Sequence, residues 1–467
     1  MKPLKSLIAP RGQTAEDKRR EMLERPIQPL ILSLAAPSIV ANLVTSIYNL
    51  SDTFFVGQIG VTSATAAIGV GFVAMTLIQG TGFYFGQGIG NAMSRSLGAG
   101  DEKRATMLVN DSLVCTITMG LLIAIFGHVF LDALCLVGGA TPTIMPYAHT
   151  YISIILCGAP FMCTSFCMNM LLRFQGESFY SMLAMVAGAL LNMMLTPLLI
   201  FPVGLGIAGS AIATVISEFV SFLLLLREMN RAGITPLGRQ YLEKPTFETV
   251  REVNAGGVPS LVRQMMLGVA TSLLNNAARP FGDAAIAGIA IVQRITGFGN
   301  YVQIGIGQGF QPIIGYNLGA HEYQRVREGY FTALRLAFTA VAAISAVTFL
   351  LAPQLIYAFG GKEEVVEIAT LTLRVCSVTL PFTGAAMITN FLLQSSGCMW
   401  RATILGGCRL GLVLGPVALV LPSILGLLGV QIAQGVTDVI TALVAIPMAL
   451  SILSELRERE AADAAAA

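Results

Sequence analysis

Twelve segments of this chain are apolar for more than about 20 residues, the length that an α-helix needs to cross a bilayer. No other feature of the sequence restricts the fold so strongly. Charged residues make up only 12% of the chain, about half of their share in soluble domains. The sequence therefore predicts an all-α membrane protein with twelve transmembrane helices. They cover approximately residues 29–57, 63–93, 105–138, 147–172, 179–201, 204–226, 253–278, 284–312, 331–360, 365–395, 402–422 and 426–453.

The distribution of positive charge predicts the orientation of these helices. If the N-terminal tail lies in the cytoplasm, nearly all Lys and Arg residues outside the apolar segments lie on that side, and only Arg279 and Lys362 face outward. Cytoplasmic loops carry such an excess in membrane proteins. The tail also lacks the apolar core of a signal peptide. We expect a multi-pass protein of the plasma membrane (the bacterial inner membrane) with both termini in the cytoplasm.

The two halves of the chain are similar to each other. The segment "FGQGIGNAMSRSLGAGDEKRA" begins at Phe85, and its counterpart "IGQGFQPIIGYNLGAHEYQRV" begins at Ile306 in the second half. Each half holds six helices, an even number, so the copies form a parallel repeat about an axis along the membrane normal. We expect a cytoplasmic tail at 1–28, bundles at 29–228 and 252–454, a cytoplasmic linker at 229–251 and a second tail at 455–467.

This duplicated architecture predicts a secondary transporter. Two six-helix bundles related by a pseudo-twofold axis would enclose a cleft, and rocking would expose that cleft to each side in turn. The sequence contains no nucleotide-binding motif of a pump and no hydrolase motif, so we expect no enzyme. A net charge of +2 gives no reason to expect nucleic acid. Three His are too few for a structural metal site.

Polar residues that occur in only one copy require a local explanation. The stretch "SIYNLSDTFFVGQIG" contains Asp52, whose counterpart in the second half is a leucine. Asn192 has an apolar counterpart too, and Thr196 and Thr214 complete a polar set in the first half. An ionisable residue inside a membrane marks a functional site by default. The alternative is that Asp52 only caps a helix end at the outer surface.

Other charged residues lead to different interpretations. Glu218 and Asp438 are counterparts, so we interpret both as structural, bonded to nearby backbone or arginines. Arg294 and Arg374 belong to the second half alone. We expect these two arginines to face the cleft or to pair with carboxylates.

Several motifs together resemble the MATE family (multidrug and toxic compound extrusion), closest to its DinF/MepA-like branch. They are "YNLSDTFFVGQIG", "GIGNAMSRSLGAGDEKRA", "RFQGESFYSMLAMVAGALLNMMLTPLLIF" and "GLGIAGSAIAT". The resemblance covers nearly the whole chain after residue 28. It implies the MATE/MOP-type fold and a functional monomer. It also implies export of small organic compounds across the lipid bilayer, driven by inward H⁺ or Na⁺, with no other cofactor.

The resemblance also implies where the coupling ion binds. In related members a cation site in the first bundle is built around an Asp that matches Asp52, with partners that match Tyr151, Asn192 and Thr214. Some members have a second Asp where this chain has Thr196. We therefore expect H⁺, or alternatively Na⁺, to bind at Asp52 and to be coupled through these residues. The acidic residues that the NorM-like branch uses in its second bundle have no acidic match here.

Substrate contacts are expected from polar residues that would face the cleft. The candidates are Tyr48, Asn49, Asn275, Arg294, Gln303 and Asn390. We expect organic, often cationic, substrates. The alternative function is a flippase for a lipid-linked oligosaccharide or another anionic amphiphile, which Arg294 and Arg374 would suit.

Overall fold

The computed structural model describes residues 14–242 and 246–466, except for the side chains of Asn49 and Ala466. All regular secondary structure in these ranges is helical, which confirms the all-α prediction. The start of the expected N-terminal tail, at positions 1–13, and positions 243–245 of the expected linker lie outside the described residues.

The first half begins with a short amphipathic helix, followed by seven helices. In chain order they are α1 Ala15–Glu24, α2 Ile27–Gly57, α3 Thr62–Gly98, α4 Glu102–Val129, α5 Leu131–Val137, α6 Met145–Phe174, α7 Ser178–Ile200 and α8 Gly206–Ala232. The expected segment 105–138 is thus a long helix followed by a short one.

The second half repeats this order, with one helix interrupted by a π-helical turn at Cys408–Leu412. Its α-helices are α9 Phe247–Ala278, α10 Asp283–Gly319, α11 Tyr323–Leu350, α12 Ala352–Ala358, α13 Glu363–Ser395, α14 Met399–Gly407, α15 Leu414–Leu425 and α16 Leu427–Ala466. The pair α11 and α12 corresponds to α4 and α5 of the first half.

Ten spans in the described part of the chain are long and apolar enough to cross a membrane. They include the combined segment Met399–Leu425. The two remaining long helices, α9 and α10, have 32 and 37 residues but are more polar, since α9 carries Arg263 and α10 carries Arg294. Polar side chains within a transmembrane bundle face its interior or water. The chain is a multi-pass helical membrane protein.

The chain forms two compact units. The first comprises Met1–Glu21 and Val40–Gly257, and the second comprises Met22–Ile39 and Val258–Ala467. The early part of α2 therefore belongs to the second unit, and the early part of α9 belongs to the first. Both helices carry an internal proline close to the boundary, Pro37 in α2 and Pro259 in α9.

In each unit, an equivalent glycine allows the early part of one helix, α9 in the first unit and α2 in the second, to pack closely. A Cβ on Gly88 would collide with the backbone of Val253 in the first unit. A Cβ on Gly309, the counterpart of Gly88 in the sequence repeat, would collide with the backbone of Ala35 in the second unit. Small residues allow membrane helices to approach closely. Gly88 and Gly309 therefore allow a close helix approach in their respective units.

Equivalent arginines make equivalent contacts in the two units. Arg104 pairs with Glu252 at 3.0 Å in the first unit, and its counterpart Arg325 donates to the backbone oxygen of Arg25 at 2.9 Å in the second. Arg104 thus binds the early part of α9, and Arg325 binds the chain just before α2 begins. The sequence repeat is therefore also a repeat of contacts.

Candidate functional site

Asp52 lies in α2 within the first unit, and only 7% of its surface is exposed. Its Oδ1 accepts a hydrogen bond of 2.8 Å from Ser210 Oγ of α8 and one of 3.3 Å from Thr196 Oγ1 of α7. Three helices therefore meet at one buried carboxylate. Asp52 lies inside this packing, not at a helix end, since α2 continues to Gly57.

A chain of polar groups extends from this carboxylate along α7 and α8. Thr196 Oγ1 also lies 3.4 Å from Asn192 Oδ1, and Asn192 Nδ2 donates to Thr214 Oγ1 at 3.2 Å. The Thr196 hydroxyl has a single proton. It can therefore donate to Asp52 or to Asn192, so the two hydrogen bonds compete for the same proton.

Helical spacing explains why these four partners converge. Asn192 and Thr196 are four residues apart on α7, and Ser210 and Thr214 are four apart on α8. Residues with that spacing lie one above the other on the same face of a helix. Each of the four is at most 3% exposed. Packing of α7 against α8 therefore brings two polar pairs together in a protected environment.

Two buried tyrosines lie beside this network. Tyr151 is packed in an apolar cluster of the first unit with Ile152 and Ile155, close enough to Asp52 for an electrostatic interaction. Tyr48, one turn before Asp52 on α2, lines a small cavity together with Asn192 and Thr214. The structure thus brings together Asp52, Asn192, Thr196 and Thr214, with Tyr151 and Tyr48 alongside.

The remaining candidate contacts belong to the second unit, apart from Asn49, whose side chain lies outside the described part of the structure. Asn275 is partly exposed and Arg294 is exposed. Gln303 is fully buried and donates to the backbone oxygen of Leu380 at 2.9 Å. Asn390 likewise donates to the backbone oxygen of Ala402 at 2.6 Å. Gln303 and Asn390 therefore join helices, and their role as substrate contacts stays a prediction.

The arginine interpretations had different outcomes. Arg374 is exposed, and its guanidinium stacks over the ring of Phe349 at 5.6 Å. Asp438 is paired as expected, because Arg409 Nε donates to its Oδ1 at 2.8 Å. Its counterpart Glu218 has no such cation in the described chain.

Ser210 belongs to the candidate site but was not predicted from the sequence. It makes the shortest hydrogen bond to Asp52, yet a serine after a glycine is an ordinary residue for a membrane helix. A signal was nevertheless present, because its counterpart in the second half is the apolar Val430. The same comparison between copies that selected Asp52 and Asn192 would have selected Ser210.

The oxygens of this site suit a proton or a monovalent cation. Asp52 supplies one carboxylate, and the neighbours supply amide and hydroxyl oxygens. Within the described ranges, no group of three or more His, Cys, Asp or Glu residues is arranged to hold a metal ion. Ionisable residues inside a membrane bundle mark ion pathways and proton relays, and the printed partners of Asp52 are neutral hydroxyl groups.

Comparison with known proteins identifies the family. The family model MatE matches this chain twice, at residues 37–198 and 259–420. The chain belongs to the MatE family. Both matches begin at the internal prolines of α2 and α9, so each MatE copy corresponds to one half of the duplicated sequence.

Characterised relatives of this MatE protein include multidrug export proteins. The Multidrug export protein MepA of Staphylococcus aureus (strain NCTC 8325 / PS 47) is 26% identical over 94% of this chain and 96% of its own length. The MepA of Staphylococcus haemolyticus (strain JCSC1435) is 26% identical over 95% of this chain and 96% of its own.

Solved structures show the same fold as this MatE chain. A MATE protein in the straight conformation has a TM-score of 0.90 at 26% identity, with 96% of this chain and all of that chain covered. A MOP superfamily transporter from Pyrococcus furiosus, described as having a binding pocket of reversed polarity, has a TM-score of 0.89 at 26% identity, covering 95% of this chain and 99% of that one.

Proposed function

We propose that this MatE protein is an antiporter that exports organic, often cationic, drug-like compounds from the cytoplasm in exchange for inward protons. The multidrug export activity named for the two MepA relatives supports the substrate class. Transport by alternating access is the ordinary mechanism of secondary transporters with repeated bundles. We further propose that it works as a monomer in the plasma membrane with both termini in the cytoplasm, and that H⁺ is its only cofactor.

The buried Asp52 and its hydroxyl donors are the main support for this function. Ser210 and Thr196 both direct hydroxyl groups at Oδ1, and these bonds stabilise the ionised carboxylate. A proton that binds to Asp52 removes the charge that these hydroxyls solvate. Because Asp52, Thr196 and Ser210 lie on α2, α7 and α8, the loss of that charge changes how three helices pack.

Protonation of Asp52 would thereby change how α2, α7 and α8 are arranged at one step of the transport cycle. The carboxylate would take up a proton from the outside and release it where water reaches it from the cytoplasm. Substrate would be released outward when the protonated arrangement replaces the ionised one. Na⁺ could bind the same oxygens, so transport driven by a pH gradient and by a Na⁺ gradient distinguishes the two ions.

The flippase alternative has less support. It depended on Arg294 and Arg374 as contacts for an anionic head group. The guanidinium of Arg374 is already engaged by the ring of Phe349 in the same unit. Neither MepA relative is named as a flippase. We therefore retain export of organic compounds as the proposed function.

Accumulation of ethidium by intact cells tests this function. Bacteria that lack their own major efflux pumps should accumulate less ethidium when they express the wild-type protein. Asp52→Asn should restore accumulation to the level of the empty vector at equal membrane expression. Asp132→Asn is a matched control, because Asp132 is 82% exposed on the short helix α5. Wild-type protein that leaves ethidium accumulation unchanged would contradict the proposal.

A further inference from the structure

Among the residues that the structure describes, a second acidic residue of the first unit has no cation beside it. Glu218 lies on α8, four residues after Thr214. Its Oε2 is buried and has no hydrogen-bond partner in the described structure. Removing an ionised carboxylate from water without a compensating cation is strongly unfavourable. Glu218 is therefore either protonated or accompanied by an ion.

A small cavity adjoins this carboxylate. Among the residues that line it are Tyr48, Gly188, Ala189, Ser217, Glu218 and Ser221. Its size suits about one water molecule or an ion of similar size. Ser217 is only 3% exposed, and its Oγ also lacks a hydrogen-bond partner in the described chain. Two unsatisfied polar atoms therefore line one cavity, which indicates a ligand.

The second repeat shows what occupies the equivalent position there. Asp438, the counterpart of Glu218, is 1% exposed and accepts a 2.8 Å hydrogen bond from Arg409 Nε. The same guanidinium donates from Nη1 to Asn300 Oδ1 at 3.0 Å. Gln434 Nε2 also donates to Asp438 Oδ1, at 3.0 Å. In this repeat a fixed cation neutralises the acidic residue.

The counterpart of Arg409 in the first repeat is a small residue. Alignment of the two copies places Arg409 opposite Gly188 in the register of the "GQG" segments, and opposite Ala189 in the register that pairs Glu218 with Asp438. Both residues line the cavity beside Glu218. The first repeat therefore keeps the acidic residue but replaces the guanidinium by an open space.

We propose that Glu218 and this cavity form a binding site for an exchangeable small cation, a proton or Na⁺, which is distinct from Asp52. A proton would reside on the carboxyl group and be shared with Ser217 Oγ or a water in the cavity. A Na⁺ ion would lie in the cavity between the carboxylate and the hydroxyl oxygens. In either form the bound cation takes the place that Arg409 has in the second repeat.

The site is positioned to communicate with Asp52. Asn192 and Thr214 line the cavity, and Asn192 is also linked through Thr196 to Asp52. Tyr48 is the other titratable residue of the cavity wall, and it lies close enough to Glu218, Asp52 and Tyr151 to interact electrostatically. Cation binding at Glu218 requires no organic substrate, so it can be tested independently of the proposed drug export.

Infrared difference spectroscopy of the purified full-length protein in lipid tests the site without transport. Spectra recorded at acidic and alkaline pH show the carbonyl stretch of each carboxyl group that titrates. Glu218→Gln should remove one such band from the wild-type spectrum. Glu228→Gln is the matched control on the same helix and should keep that band. Ala189→Arg retains the carboxylate but supplies a fixed cation, so it should also remove the band.

Addition of NaCl in place of choline chloride at constant pH distinguishes the two cations. Suppression of the Glu218 band by Na⁺ would identify a site that binds either ion, and a band insensitive to Na⁺ would identify a proton site. A Glu218→Gln spectrum that retains every wild-type band would overturn the proposal. A band that is lost in Glu218→Gln but retained in a folded Ala189→Arg protein would overturn it as well.

Discussion

Ser210 of α8 donates a 2.8 Å hydrogen bond to Asp52 of α2. Both residues are buried, at 0% and 7% exposure, so water does not compete for this bond. A hydrogen bond to a charged group contributes about 1.5–3 kcal/mol. The Ser210 hydroxyl is thus a main determinant of how easily Asp52 carries its charge.

Ser210→Ala should therefore disturb ion coupling without removing the carboxylate. The lost bond corresponds to a change of about tenfold to a hundredfold in the equilibrium between protonated and ionised Asp52. We expect substrate transport to be several-fold slower, measured in proteoliposomes at the pH where the wild type is half-maximal. Ser210→Thr keeps the hydroxyl and should retain most activity. A wild-type rate in Ser210→Ala would show that the bond is irrelevant to transport.

Arg409→Met should destabilise the second unit. The change leaves the buried Asp438 without its 2.8 Å ion-pair partner, and breaking a buried pair costs about 3–5 kcal/mol. The melting temperature in detergent should fall clearly. The double variant Arg409→Met/Asp438→Asn removes the orphaned charge and should recover a large part of the loss. Equal melting temperatures for the single and double variants would contradict the assignment of this pair.

Gly88→Ala should impair folding, whereas Gly69→Ala should not. Both glycines lie in α3, but a Cβ at Gly88 collides with the Val253 backbone and one at Gly69 meets no atom within 4 Å. Alanine at an open helical position stabilises by about 0.5–1 kcal/mol. The yield of monodisperse protein and the melting temperature should fall for Gly88→Ala alone. Similar results for both variants would exclude the close helix contact.

The contribution of Lys18 to the stability of the first unit should depend on pH. Its Nζ lies 3.2 Å from Glu177 Oε1, in the connection between α6 and α7. Burial raises the pKa of Glu177, and Lys18 partly opposes this shift. Lys18→Met removes the opposing charge, so the pKa of Glu177 should rise further.

The sign of this effect follows from linkage. A carboxyl group whose pKa is raised in the folded state stabilises the fold at low pH, and that contribution is lost as the pH rises through the folded-state pKa. The melting temperature of Lys18→Met should therefore fall further below the wild type at about pH 8 than at about pH 5. In Lys18→Met/Glu177→Gln most of this pH dependence should disappear. A destabilisation independent of pH would contradict the role of Glu177.

The helices and the repeat could be predicted because apolar length and glycine spacing are local signals. Each of the twelve expected segments is helical. Two of them, at α4–α5 and α11–α12, consist of a long helix followed by a short one, and a π-helical turn separates α14 from α15. The membership of residues 22–39 in the second unit was not predictable in this way. It depends on contacts such as that between Gly309 and Ala35, which join residues far apart in sequence.

The candidate site was predicted in part, for a similar reason. Asp52, Asn192, Thr196 and Thr214 stood out as a polar set of the first half, and the structure brings them together. The same comparison of copies predicted a shared structural role for Glu218 and Asp438, but it did not predict that their partners differ. The difference lies in the partner, because Asp438 has Arg409 and Glu218 faces a cavity lined by Gly188 and Ala189. Which residue neutralises a charge is a property of packing that one residue's identity does not reveal.

The most direct test of the account is transport of ethidium in proteoliposomes that contain either the wild-type protein or Asp52→Asn. A pH gradient and a Na⁺ gradient are imposed separately, at equal protein incorporation. We expect the pH gradient to drive ethidium movement by the wild type and Asp52→Asn to abolish it. Movement driven only by Na⁺ would contradict proton coupling while retaining the site. Movement by Asp52→Asn at the wild-type rate under the pH gradient would contradict the central role of Asp52.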